Sequence, residues 1–156
     1  MKSLVVFYTR TGTTKKAAEA IAKVLGADIE ELSDGKDRKG LFGWLSAGKD
    51  ASQKTMEKLN GLDHDPAGYD LVIVGTPVWN FTVSSPVRTF LVNYKDRFRK
   101  VAFFFTGGGG SSNTGVFPAM VSACEKDSIA TLPLRANEVV KGEIAGKINE
   151  FVAELR

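Results

Sequence analysis

This sequence predicts an α/β protein built on a parallel sheet with helices on both faces, and three observations predict it. Short apolar runs rich in β-branched and aromatic residues alternate with stretches whose apolar residues recur at helical spacing. The alternation runs the length of the chain without a repeat, a low-complexity tract or an interdomain linker, so residues 1–156 read as a single domain. Three segments of unusual composition, at residues 9–14, 76–84 and 106–113, each follow the carboxyl end of a strand. In a parallel sheet those ends share one edge, and ligands bind there, where the strand order reverses.

The first strand covers residues 3–8, an apolar run too short for a helix and suited to full burial. Residues 15–25 follow as a helix, with Ala17, Ala18, Ile21, Val24 and Leu25 on one face. Between them lie Thr9, Arg10, Thr11, Gly12, Thr13 and Thr14. A helix start leaves backbone N–H groups unpaired and carries partial positive charge, so it can hold an anion. The threonines add hydroxyl donors there, and Gly12 lets the backbone come close to a guest. Phosphate binding and simple capping of the helix are both open readings of this stretch. Two other phosphate loops are excluded, since neither G-x-x-x-x-G-K-[ST] nor G-x-G-x-x-G occurs.

Residues 27–32 form a second, shorter strand whose alternating acidic residues place it near a sheet edge. Residues 34–40 are a charged turn, and Leu41, Phe42, Trp44 and Leu45 an apolar knot that pins the connection to the core. A helix over 51–59 would end at Asn60 and Gly61. Residues 69–75 are a buried strand, followed by Thr76, Pro77, Val78, Trp79, Asn80 and Phe81 in a stretch with neither helical nor strand period. Ser85 caps the next helix and Pro86 occupies its first turn; Val87, Phe90, Leu91 and Tyr94 are its buried stripe. Residues 100–106 make a further strand, which runs from Thr106 into Gly107, Gly108, Gly109 and Gly110 and on to Asn113. Phe117, Met120, Val121 and Cys124 mark one face of the helix beyond. Residues 128–134 are the last strand, and Ile144, Ile148, Phe151, Val152 and Leu155 stripe the terminal helix.

Composition narrows the function. With 43% apolar and 25% charged residues in 156, the chain can bury a core without disulfides or a structural metal. A net charge of +3 is too small for a strong polyanion binder, so no nucleic-acid partner is expected. Cys124 is the single cysteine, which forbids an internal disulfide and suits a reducing compartment. Thr9 and Arg10 interrupt the first apolar run before it reaches signal-peptide length, and no stretch reaches that of a membrane span. A cytoplasmic protein without membrane insertion is therefore expected. His64, flanked by Asp63 and Asp65 with no histidine or cysteine nearby, reads as a surface residue and not a metal ligand.

The three edge segments suit one guest. The first offers donors to a phosphate, and the second offers Trp79 and Phe81 to a flat ring. The glycine run has no side chains, so its backbone can meet the polar edge of a heterocycle, though a flexible surface loop is also an open reading. Flavin mononucleotide is the simplest ligand with all three features.

Thr9, Thr11, Gly12 and Thr14 after the first strand, Gly75 through Trp79 after the third, and Thr106 through Gly109 after the fourth resemble the flavodoxin family over essentially the whole chain. The resemblance implies a flavodoxin-like three-layer sandwich with a five-stranded parallel sheet in the order 2-1-3-4-5. It also implies non-covalent FMN, with its phosphate on residues 9–14 and its ring between residues 76–81 and 106–113. The implied function is electron transfer between a reductase and an acceptor, either a redox protein or a small molecule such as a quinone. An NAD(P)H-dependent quinone or flavin reductase on the same fold is the alternative. The three segments hold no carboxylate, histidine or cysteine, so no catalytic side chain is expected. A phosphoacceptor signalling domain is excluded because residues 3–14 hold no acidic residue.

Several features depart from the electron-carrying flavodoxins. This chain is basic where those are acidic, and its second segment lacks their glycine with a flipping peptide. The third segment lacks the aromatic that covers the outer ring face. Residues 37–51 resemble a segment of flavodoxin-like proteins of less settled role; Arg38, Lys39 and Lys49 within it read as a solvated charged turn or as guides for an anionic partner.

Overall fold

The structure is a computed structural model and describes residues 1–33, 61–108 and 113–156. The apolar knot at Leu41–Leu45, the helix expected over 51–59, the segment 37–51, Gly109 and Gly110 lie outside the described residues.

Five strands run parallel: β1 (Ser3–Phe7), β2 (Asp28–Glu31), β3 (Leu71–Trp79), β5 (Lys100–Gly107) and β6 (Thr131–Arg135). Their order, β2-β1-β3-β5-β6, is the expected 2-1-3-4-5 order when the parallel strands alone are counted. A sixth strand was not expected: β4 (Thr82–Val83) pairs antiparallel with the end of β3. The helices are α1 (Thr13–Leu25), α2 (Ser85–Tyr94), α3 (Val116–Cys124), α4 (Ala136–Lys141) and α5 (Ala145–Glu154).

Side chains of a strand alternate between faces, and this sheet buries both. Val5, Phe7, Ile73, Ala102 and Phe104 lie under α1, α4 and α5, packed with Ala17, Ile21, Val139, Ile148 and Phe151. Leu4, Val6, Val72, Val74, Phe103 and Phe105 face the other way, against Val87, Phe90 and Leu91 of α2 and Met120 and Cys124 of α3. Pro133 is tolerated because β6 is an edge strand with one neighbour, and its burial alternates as an edge requires.

The other edge explains two residues that sequence alone misplaces. Glu30 of β2 is buried, and its Oε1 accepts from the His64 amide at 2.8 Å and lies 2.9 Å from His64 Nδ1. His64 is therefore partly covered and clipped to the sheet edge, not a free surface residue. Nearby, the buried Tyr69 hydroxyl donates to Asp28 Oδ2 at 2.6 Å. Burial, and then the Asp28 carboxylate, push the Tyr69 phenol up to about 12 from its ordinary 10.0. A raised folded-state value means this contribution is complete below pH 10 and is lost as pH climbs toward 12. Denaturant midpoints measured over that window should fall more steeply for the wild type than for Tyr69→Phe. Parallel curves would show that the Tyr69–Asp28 bond contributes nothing to the alkaline limb.

Candidate functional site

The carboxyl edge of the sheet carries a cleft of about 160 Å³. Thr9, Arg10, Thr11, Thr13, Thr14, Pro77, Val78, Trp79, Thr106, Gly107 and Gly108 line it, so the structure brings the three segments together. Gly12, Thr76, Asn80, Phe81 and Asn113 are not among its described lining, whereas Ala136, which sequence reasoning missed, is. That residue opens α4, a helix too short to show a period; the only available signal was that β6 also ends on this edge.

The first wall follows from Gly12. It is the N-cap of α1 with φ of +100°, a left-handed conformation that glycine adopts without a Cβ penalty. Its amide donates to Thr9 Oγ1 at 2.9 Å, which closes the turn before the helix. No side chain caps α1, so capping, one of the two open readings of the threonines, is not how they are used. Thr11 and Thr13 line the cleft with hydroxyls that form no hydrogen bond among the described residues. Thr14 is spent differently: its Oγ1 and that of Thr106 form a buried bond of 2.8 Å that ties the first segment to the third.

The second wall corrects an expectation. Residues 76–84 are not a patternless loop, because β3 continues through Trp79 and turns back as β4, with Val78 opposite Val83 and Trp79 opposite Thr82. Thr76 is fully buried beneath this hairpin. Its Oγ1 lies 2.7 Å from the Pro77 carbonyl oxygen and 3.0 Å from Ser84 Oγ, and it accepts from the Ser84 amide at 3.0 Å. That network also moves the N-cap of α2 to Ser84, one residue before the expected Ser85, and Ser84 makes no side-chain cap bond to the helix. Trp79 is largely buried, edge-on to Tyr8 at 5.3 Å and 86°, while still forming part of the cleft wall.

Asn80 and Phe81 form the hairpin tip, with φ of +48° and +66°. Two-residue hairpins favour left-handed turns, but glycine is the usual second residue. Here a phenylalanine takes that position, and it is 65% exposed. Phe81→Gly should therefore raise stability by about 1 kcal/mol through relief of the left-handed strain. Chemical denaturation checks this; a loss of stability would mean that the ring's contacts outweigh the strain.

Gly107 closes the third wall because nothing larger fits. An added Cβ would sit 2.7 Å from Val78 Cγ2 and 3.2 Å from the Asn113 side-chain amide. Asn113, itself buried, thus packs behind the wall, and no described residue lies within 4 Å of where a Cβ on Gly108 would sit. Arg10 is the one charged residue of the described lining, which contains no carboxylate, histidine or cysteine.

A family model described as flavodoxin matches residues 2–130. The chain belongs to the flavodoxin family. Among curated proteins no match is found. Among solved structures, this flavodoxin-family chain is similar to a flavoprotein from Lactobacillus acidophilus NCFM, whose structure is a complex with FMN. The two are 26% identical, with a TM-score of 0.65 over 90% of this chain and 97% of that one. It shares its fold with Megasphaera elsdenii flavodoxin, at 20% identity and a TM-score of 0.59 over 99% of both chains. An NADH:FMN oxidoreductase has the same fold at 18% identity and a TM-score of 0.53, over 97% of this chain and 88% of that one.

Proposed function

We propose that this flavodoxin-family protein holds FMN non-covalently at the carboxyl edge of its sheet and passes electrons between a reductase and an acceptor, either a redox protein or a small molecule such as a quinone. The observation that carries this reading is the opposition of two walls. One presents the start of α1, which no side chain caps, with the hydroxyls of Thr11 and Thr13, which have no partner among the described residues; the other is the bare backbone of Gly107 and Gly108. The donor set suits a phosphate, since Thr11, Thr13 and Arg10 line the cleft beside the start of α1, with no carboxylate among its described lining. The cleft is smaller than the about 300–1,000 Å³ usual for a whole small-molecule site, so it suits the phosphate end, with the ring toward the rim. Phe81, exposed at the hairpin tip, would be the residue to cover that ring.

FMN supplies the redox chemistry when bound, and the chain's own residues bind and orient it. Thr14 and Thr106 lock the first segment to the third so that the walls keep their spacing. Thr76 and Ser84 hold the hairpin that carries Trp79 and Phe81.

The room beside Gly108 among the described residues supports a second reading, an NAD(P)H-dependent quinone or flavin reductase, which needs space for a nicotinamide over the ring. Anaerobic addition of NADPH to the FMN-loaded protein separates the two. A carrier should stay yellow until a separate reductase is added. Rapid bleaching by NADPH alone would overturn the carrier reading in favour of the reductase.

A further inference from the structure

The largest groove among the described cavities has no part in the flavin cleft. It lies between α1 and α5, has a volume of about 530 Å³ and shares no lining residue with the cleft. Its α1 side is a stripe of Lys16, Ala20, Lys23 and Val24, and its other side is Gly142, Ile144, Ala145, Ile148 and Asn149. The depression has a simple origin, since Ala20, Gly142 and Ala145 are too small to fill the space between the two helices. Ile144 and Ile148 are buried at its floor, whereas Val24 is 44% exposed on its wall. A concave, largely apolar groove with a few polar groups at its rim has the form of a small-molecule site.

The charges at the groove select the occupant. Two ammonium groups line it and no carboxylate does. Lys16 and Lys23 are two turns apart on α1, about 10.5 Å along its axis at the helical rise. Lys16 Nζ donates to the Val140 carbonyl at 3.0 Å, which fixes one cation at the end of the groove with two N–H groups to spare. Glu19, on the same helix, falls on the solvent side of both lysines by helical spacing and not in the groove.

We propose that this groove binds an amphiphilic carboxylate of the medium-chain fatty-acid class, its head group on a lysine and its acyl chain laid over Ala20, Val24, Ile144 and Ile148. The volume falls within the about 300–1,000 Å³ range of small-molecule sites. A stable protein partner would bury about 800 Å² on each side, more than this strip of small and medium side chains offers. A neutral lipid would make no use of the positive charge of Lys16 and Lys23, which line the groove with no carboxylate among its lining. The inference does not depend on FMN.

Decanoate titrated into the FMN-loaded protein, followed by amide chemical shifts, tests the proposal. Saturable shifts are expected at Ala20, Val24, Gly142 and Ile148, with the cleft amides of Thr11 and Gly108 unmoved. Decanol should bind more weakly by up to about fivefold, the ratio expected when an exposed ion pair worth about 1 kcal/mol is lost. Lys23→Glu should weaken decanoate by a similar factor without affecting decanol. Ala145→Phe, at an exposed position, should fill the groove and abolish the shifts while FMN stays bound. Equal binding of decanoate and decanol would overturn the proposal. So would shifts confined to the cleft, or no saturation at millimolar decanoate.

Discussion

Replacing Thr11 and Thr13 together with valine should lower FMN affinity while leaving riboflavin affinity nearly unchanged. Both threonines line the cleft, and neither hydroxyl has a hydrogen-bond partner among the described residues, so each can serve a bound anion. A hydrogen bond to a charged group contributes about 1.5–3 kcal/mol, so the pair predicts a loss of roughly 10²–10⁴-fold. Valine keeps the shape of threonine, and neither hydroxyl supports the fold. Thr14 is the wrong residue for this experiment. Its hydroxyl is buried against Thr106, so Thr14→Val would disturb the joint between two walls and weaken both ligands. Fluorescence titration of FMN and riboflavin against the double variant measures the difference directly. An equal loss for both ligands would place the phosphate away from residues 9–14.

Gly75→Ala should unfold the protein or cost about 3 kcal/mol or more, the upper end for overpacking a core. A Cβ at Gly75 would lie 2.0, 2.3 and 2.5 Å from three atoms of the Phe104 ring. That ring is fully buried on the neighbouring strand, and Gly75 is paired directly with Phe104 in the β3–β5 register. Neither strand can retreat, because β3 is held on both sides by β1 and β5. Pairing the change with Phe104→Leu removes the clashing atoms, so the double variant should be more stable than Gly75→Ala alone. Denaturant midpoints of the two single variants and the double variant measure that coupling. Simple additivity would mean that the ring is not what excludes a side chain at Gly75.

Much of the sheet was legible because its strands are buried on both faces and so read as continuous apolar runs. Residues 3–8, 69–75 and 100–106 are of that kind, and each meets an observed strand within a few residues. The half-buried edge strand β6 was less well bounded: it was expected from residue 128 and begins at Thr131. Two elements were not legible at all. Strand β4 has two residues, and α4 has six, too few for either period to show.

By itself, the sequence determined the parallel α/β architecture, the flavodoxin resemblance and the three segments that share the carboxyl edge of the sheet. Each of these depends on local patterns: apolar period, glycine placement and the order of loops after strands. The tertiary structure alone decided how each threonine is used. Thr9 closes a turn, Thr14 bonds across 92 positions to Thr106, Thr76 is buried under a hairpin, and Thr11 and Thr13 remain facing the cleft. It also decided that residues 76–79 and 82–83 lie in the sheet and that Gly75 and Gly107 yield their space to Phe104 and Val78. The physical reason is that a hydroxyl or a missing Cβ acquires its role from what packs against it. For these residues that neighbour comes from a different part of the chain, where no local pattern records it.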